Sequence, residues 1–299
     1  MGDAQRVTES DRLPDEWGRI LDLLRRTRGF TFTGYKHGVL ERSVSRRMAV
    51  LGITSYTAYR QRLAAGPGEC DLLLRALLIG TTSFFRDPSA WDYLRREVVP
   101  ELLEESVPGR EIRVWSAGCA RGEEAYSLAI LFAEAIGRGP VLPDVRIFAT
   151  DVDPDALQVA RSGLYPGKAV TAMPSRLRDT YLTPQGDQYR IRSGLRCSVV
   201  FGRHDIMRDV PLSGVDLLVC RNTLMYFDTT TQAGVLDGFR FALRGGGFLF
   251  LGRAETLAIY GHDTFVPVER RQRVYRRLPD GPAATEHRPA AARRRDRRR

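Results

Sequence analysis

The feature that most restricts what this chain can fold into is a rhythm that begins at Glu111. Short apolar runs alternate with helical stretches from there to the end of the apolar sequence. EIRVWSAG reads as a strand and loop, EEAYSLAILFAEAI as a helix, VRIFATD as a strand and DPDALQVARSGL as a helix. SVVFGRHD and VDLLVCRN follow as strands, TTQAGVLDGFRFAL as a helix, and GGGFLFLG as the fifth strand. FVPVERRQRVYRRL supplies two alternating stretches of the kind that pair as an antiparallel hairpin. Strands separated by helices assemble as a parallel sheet covered on both faces, so the chain predicts a doubly wound, mostly parallel α/β sheet. Ligands of such sheets bind beyond the carboxyl ends of the strands, which makes the loops after these strands the places to look for chemistry. Between 182 and 203, QYRIRSGLRCSVVF alternates like a small antiparallel insert.

Residues 15–80 read as a separate module of short helices. Trp17, Ile20, Leu21 and Leu24 recur at helical spacing, as do Leu40, Val44, Met48 and Leu51. At about 100° per residue, Lys36, Arg42, Arg46 and Arg47 fall in an arc apart from the second apolar set, giving an amphipathic helix with a cationic outer face. That face is either a solvated surface or a docking face for an acidic partner.

The formal charge of +10 is unevenly placed. Residues 270–299 hold 12 Arg against three acidic groups, residues 19–62 hold 10 basic against two acidic, and residues 91–269 hold 20 against 23. A basic module, a near-neutral body and a basic tail do not make a nucleic-acid footprint spread over one domain. The tail 280–299 is rich in Pro, Ala and Arg without apolar periodicity and is expected to be disordered. The first residues carry neither an apolar core nor a basic flank of a secretory signal, and no apolar run reaches membrane-spanning length. Cys70, Cys119, Cys197 and Cys220 show no CxxC pairing and no His at ligand spacing, so reduced thiols in a cytoplasmic protein, with no metal site, are expected.

Four stretches after strands carry candidate chemistry. In WSAGCARGEEAYS, Gly118 and Gly122 permit a tight turn and close approach of a ligand, and Glu123 and Glu124 open the next helix. Two acids there oppose phosphate and suit a cationic, phosphate-free ligand such as S-adenosylmethionine. Asp151 ends the second strand, where an acidic residue either accepts hydrogen bonds from ribose hydroxyls or caps the next helix, as Asp153 and Asp155 also can. Asp205 with Ile206 follows the third strand; the carboxylate suits an exocyclic amine and the isoleucine a purine face, unless the pair is only a surface turn. Arg221, Asn222 and Tyr226 follow the buried fourth strand. A fifth stretch, TTSFFRDP at 81–88, precedes the sheet, and nothing in it alone demands catalysis.

Taken together, TTSFFRDP, VWSAGCARGEEAYSLA, IFATDVDPDALQVARSGLY, LLVCRNTLMYF and GGGFLFLGRAETL resemble the chemotaxis receptor methyltransferases, the CheR family, in order and spacing. The resemblance runs from about Trp17 to Leu278, and SRRMAVLGI resembles the family's receptor-facing helices. It implies a class I methyltransferase sheet, S-adenosylmethionine as cofactor and S-adenosylhomocysteine as product. It also implies that Thr82, Arg86, Gly118, Glu124, Asp151, Asp205, Ile206, Arg221 and Asn222 surround the cofactor, with Arg86 and Tyr226 nearest the methyl as the catalytic pair. Lys36, Arg42, Arg46 and Arg47 would dock the protein substrate, a methyl-accepting receptor or a related signalling protein. Gly80 stands where the family often has Asn, and Asp205 where Asn is common.

The domains expected are 1–85, helical and receptor-facing; 86–279, the methyltransferase, with its insert at about 182–203; and 280–299, the tail. The activity expected is esterification of glutamate side chains. The alternative is a non-catalytic module that binds the cofactor; an RNA methyltransferase has only the basic regions in its favour. The short turn around Gly186 in YLTPQGDQYRIRSGL implies a member that needs no peptide tether at the receptor's C-terminus.

Overall fold

The computed structural model describes residues 13–78, 80, 82–137, 145–257 and 264–279. The expected tail, 280–299, lies outside the described residues. The chain divides into two compact units: one holds residues up to Gly80 together with Tyr226–Asp228, the other Thr81–Met225 and Thr229 onward.

The first unit contains helices α1 (Leu13–Arg28), α2 (His37–Val50), α3 (Tyr56–Ala65) and α4 (Pro67–Leu77). Pro67 at the first turn of α4 suits a position whose N–H has no helical acceptor. The periodic residues Trp17, Ile20, Leu24, Leu40, Val44 and Met48 are buried with Tyr59, Leu63 and Leu73. Tyr226–Asp228 joins this unit through its backbone. The Lys36 N–H donates to the Tyr226 carbonyl at 2.8 Å and the Asp228 N–H to that of Gly34 at 2.8 Å.

The second unit is built on a seven-stranded sheet. Its strands are β1 (Ile112–Ala117), β2 (Val145–Asp151), β6 (Val199–Arg203), β7 (Val215–Cys220), β8 (Leu243–Leu251), β9 (Phe265–Glu269) and β10 (Val274–Arg277), in the order β6-β2-β1-β7-β8-β10-β9. The first five neighbours run parallel, and β10 and β9 close the sheet as the expected antiparallel hairpin. Every residue of β7 is buried, as a central strand covered on both faces requires. Helix Glu123–Ile136 buries most of its length for the same reason, with ten consecutive buried residues from Glu123. The order reverses at β1, which pairs with β2 on one side and β7 on the other, and this switch point is where such sheets hold ligands.

Both edges of the sheet are modified. Pro267 sits mid-strand in β9 opposite Tyr275, beside an irregularity in the β10 register. On β6, the Phe201 carbonyl accepts from Arg161 Nη2 at 3.2 Å.

A second, three-stranded antiparallel sheet has the order β3-β5-β4, from β3 (Leu164–Pro166), β4 (Leu182–Gln185) and β5 (Gln188–Ile191). Its extent differs from the 182–203 expected. It starts earlier, at Leu164, and stops at Ile191, while Val199–Arg203 pairs in parallel with β2. Alternation shows that a segment has two faces and says nothing about which strand it pairs with. Gly186, at φ 62°, and Asp187 make the two-residue turn joining β4 to β5.

Candidate active site

Gly118, Asp151, Arg221 and Asn222 stand at the carboxyl ends of β1, β2 and β7, on one edge of the sheet, while Asp205 and Ile206 follow β6. After β1 the chain turns at Gly118, whose φ of 75° lies in the region that favours glycine. A Cβ there would meet Thr223 Oγ1 at 2.5 Å, so only glycine leaves the loop in place. Gly122, at φ 90°, caps helix Glu123–Ile136, and a Cβ there would stand 2.9 Å from Ala160 Cβ.

Asp151 and Asp153 divide the two roles open to them. Asp153 is the cap of helix Pro154–Ser162, accepting from the N–H groups of Asp155 at 2.9 Å and Ala156 at 3.2 Å. Asp151 instead folds back on the loop. Its Oδ2 accepts from the Ala120 N–H at 2.8 Å and its Oδ1 from the Asp153 N–H at 2.9 Å. Burial raises its pKa, opposed by those backbone N–H groups.

Glu124 is buried. Burial raises its pKa to about 7, opposed first by Arg221 and then by the hydrogen bond from Ser116 Oγ at 2.8 Å; Glu255 adds to the rise and Arg86 opposes it. The neighbouring Glu123 is also buried and shifted upward by burial.

Arg221 is more deeply engaged than a plain ligand contact. Its side chain is 2% exposed and donates from Nη2 to Asp87 at 2.6 Å and from Nη1 to the Arg86 carbonyl at 3.1 Å. It lies 3.9 Å from Glu124 and over the Phe250 ring at 4.8 Å. The TTSFFRDP stretch is thereby tied to the end of β7, which its sequence alone did not indicate. Phe85 and Asp87 take φ of 50° and 62° in that stretch. Thr82, Arg86 and Ile206 are half-buried.

Asp205 is occupied in a local turn: its Oδ1 accepts from the Met207 N–H at 3.0 Å, and its own N–H donates to Asp209 at 2.8 Å. Asn222 has a left-handed φ of 59° and donates its N–H to Glu255 at 2.9 Å. Glu255, Ser116 and Asp87 were not singled out from sequence. Tyr226 groups with the helical unit.

Of the four cationic residues expected to dock a partner, Lys36, Arg42 and Arg46 are exposed, and Arg42 Nε donates to the Gly38 carbonyl at 2.9 Å. Arg47 is turned inward and forms an ion pair with Glu69. Its partner, 22 residues away, belongs to α4 and not to the helix that carries Arg47.

The two units correspond to two known domains. Residues 15–78 match the all-alpha domain of the CheR methyltransferases, and residues 80–274 match their SAM-binding domain. The chain belongs to the CheR methyltransferase family. Among relatives, a chemotaxis protein methyltransferase of Borreliella burgdorferi is 31% identical over 81% of this chain and 88% of its own length. Chemotaxis protein methyltransferase 2 of Pseudomonas aeruginosa is 31% identical over 83% of this chain and 89% of its own length. An uncharacterized 104.1 kDa protein of Rhodobacter capsulatus is 38% identical over 89% of this chain, which spans 28% of that relative. Among the described residues no helix is long and apolar enough to cross a membrane.

As a CheR-family site, this edge suits a cationic nucleoside cofactor without phosphate. The donor set is acidic, with Glu124 and Asp151 flanking a glycine turn that any Cβ would obstruct.

Proposed function

We propose that this chain uses S-adenosylmethionine to esterify glutamate side chains on a methyl-accepting chemotaxis receptor or a related signalling protein. The observation that carries this is the pair of domain matches running in register from residue 15 to residue 274. The position of Gly118, Asp151 and Arg221 after β1, β2 and β7, next to the switch point, supports the same reading. On this reading Asp151 holds the ribose, Glu124 holds the ammonium end, and Asn222 with Asp205 and Ile206 faces the base. Thr82 and Gly118 border the same space, and Arg221 acts by holding Arg86 and Asp87 in place.

When bound, the cofactor supplies an electrophilic methyl; a carboxylate oxygen forms the C–O bond as the C–S bond breaks, leaving a methyl ester and S-adenosylhomocysteine. A free glutamate side chain ionises near pH 4.3 and is already a carboxylate at neutral pH, so no residue of this chain has to remove a proton. What the chain contributes is alignment and exclusion of water. On this reading Arg86 orients the incoming carboxylate, a role supported by the hydrogen bond from Arg221 to its carbonyl and by its effect on Glu124. Family resemblance supports Tyr226 as a hydrogen-bond donor to it, and Lys36, Arg42 and Arg46 as cations that meet an acidic receptor surface.

The receptor needs no C-terminal peptide tether on this reading, because the two-residue turn Gly186–Asp187 leaves little room to shape a peptide-binding edge. Titration with a receptor-tail pentapeptide should show no micromolar binding; binding lost on altering Tyr189 to Arg192 overturns that point. Incubation with tritiated S-adenosylmethionine and receptor-bearing membranes tests the activity itself. Base-labile label on the receptor supports it, and cofactor binding without label identifies a non-catalytic module.

A further inference from the structure

Glu255 lies on the chain after β8, and its carboxylate is buried. Backbone N–H groups surround it. Oε1 accepts from Thr223 at 2.8 Å and Leu224 at 2.7 Å; Oε2 accepts from Asn222 at 2.9 Å and Gly252 at 2.7 Å. Three of the four donors are consecutive residues of the loop that follows β7, and the first of them is in the left-handed conformation that L side chains adopt only when held there. Three successive N–H groups turned the same way are matched by a carboxyl side chain, which offers two oxygens side by side.

Gly252 completes the arrangement. Its own backbone does not require glycine, yet a Cβ there would stand 2.8 Å from the Asn222 nitrogen and 2.8 Å from Glu255 Oε2. The space between β8 and the loop is therefore reserved for the carboxylate and nothing more.

We propose that Glu255 is a positioning residue, a clamp that fixes Asn222 and Thr223 against the cofactor, with Gly252 as its required seat. This rests on reading the β1–β2–β7 edge as the cofactor site. The clamp acts on both walls of that site, because Thr223 Oγ1 is also the atom that a Cβ at Gly118 would strike. In Glu255→Gln the amide NH2 replaces one oxygen and opposes two N–H donors, so part of the loop loses its anchor while the side-chain volume is kept. Gly252→Ala disturbs the same geometry from the other side while keeping the carboxylate group itself.

A control for general destabilisation is Asp216→Asn. Asp216 is also buried, but it stands at the start of β7, where it accepts from the Arg113 N–H at 2.8 Å and pairs with Arg110 and Arg244. The full chain and the three variants are titrated calorimetrically with S-adenosylhomocysteine at a temperature where each is folded. Amide exchange is followed by mass spectrometry over 220–226, 251–256 and 145–151. Glu255→Gln and Gly252→Ala should each bind at least tenfold more weakly, with faster exchange confined to the first two segments, and Asp216→Asn should bind within twofold of wild type. If Glu255→Gln does not fold, Gly252→Ala carries the test. The clamp is overturned if the folded clamp variants bind within twofold of wild type, or if Asp216→Asn is weakened as much as they are. A wild-type chain that takes up no S-adenosylhomocysteine overturns the site and the clamp together.

Discussion

Arg47 and Glu69 meet as a two-pronged ion pair, Nε to Oε1 at 2.7 Å and Nη2 to Oε2 at 2.8 Å, with the Tyr59 hydroxyl donating to Oε1 at 3.0 Å. Glu69 is buried, and its pKa is lowered, first by the hydrogen bond from Arg47. The folded module therefore favours the ionised carboxylate; that contribution is present above about pH 4.5 and lost as pH falls below it. Arg47→Ala leaves Glu69 buried without its partner, so the helical module should lose about 3 kcal/mol. Urea unfolding at pH 7 measures the loss, which should shrink in acid.

Arg46 is the contrasting case, exposed on the same helix. Arg46→Glu should leave stability within about 0.5 kcal/mol of wild type. Receptor methylation should slow, most at low salt, with cofactor affinity unchanged. Equal methylation rates at low salt would assign this face to solvent alone.

Asp151→Ala removes the carboxylate assigned to the ribose and the acceptor of the Ala120 and Asp153 N–H groups. Charge-assisted hydrogen bonds of this kind are worth roughly 1.5–3 kcal/mol each, so S-adenosylhomocysteine should bind at least tenfold more weakly. Calorimetry on the folded variant decides; unchanged affinity removes Asp151 from the site.

Glu124 sets a pH dependence. Its pKa is raised to about 7 by burial, so without ligand it takes up a proton as pH falls through that value. A cationic group bound beside it favours the carboxylate, and binding must then release a proton. Affinity for S-adenosylhomocysteine should rise from pH 6 to pH 8 and level off above, and titrations in buffers of different ionisation enthalpy count the proton. Folding follows the opposite trend. An acid whose folded pKa lies above its unfolded value makes its full contribution below about pH 4.5, and that contribution is lost as pH rises through about 7. Glu124→Gln should therefore melt higher than wild type at pH 8 while binding ligand more weakly, as differential scanning calorimetry will show.

The strands of the large sheet were legible because each is a short apolar run ended by polar or glycine residues, as VDLLVC is before Arg221. Their order was legible only through the fold class, since local pattern does not encode which strands pair. The first strand of the small sheet, Leu164–Pro166, is three residues long and too short to show a period. At the site, Gly118, Glu124 and Asp151 were readable because residue type and position after a strand both point to a ligand. Glu255 was not, because it acts on backbone N–H groups, and nothing in the sequence marks which backbone a carboxylate will reach. Arg47 misled for a related reason: a helical wheel shows a face but not the residue packed against it.

The ends of the large sheet bear on how the chain behaves in concentrated solution. A strand arriving beside β9 would find Pro267 at its midpoint, a residue with no N–H to offer, next to a break in regular register. A strand arriving beside β6 would find the Phe201 carbonyl already held by the Arg161 guanidinium, a bulky cation set on the rim. Seven strands of hydrogen-bonded backbone thus finish at both ends in groups that discourage recruitment of another copy, and a sheet this apolar can remain dispersed at concentrations where bare rims would nucleate fibres.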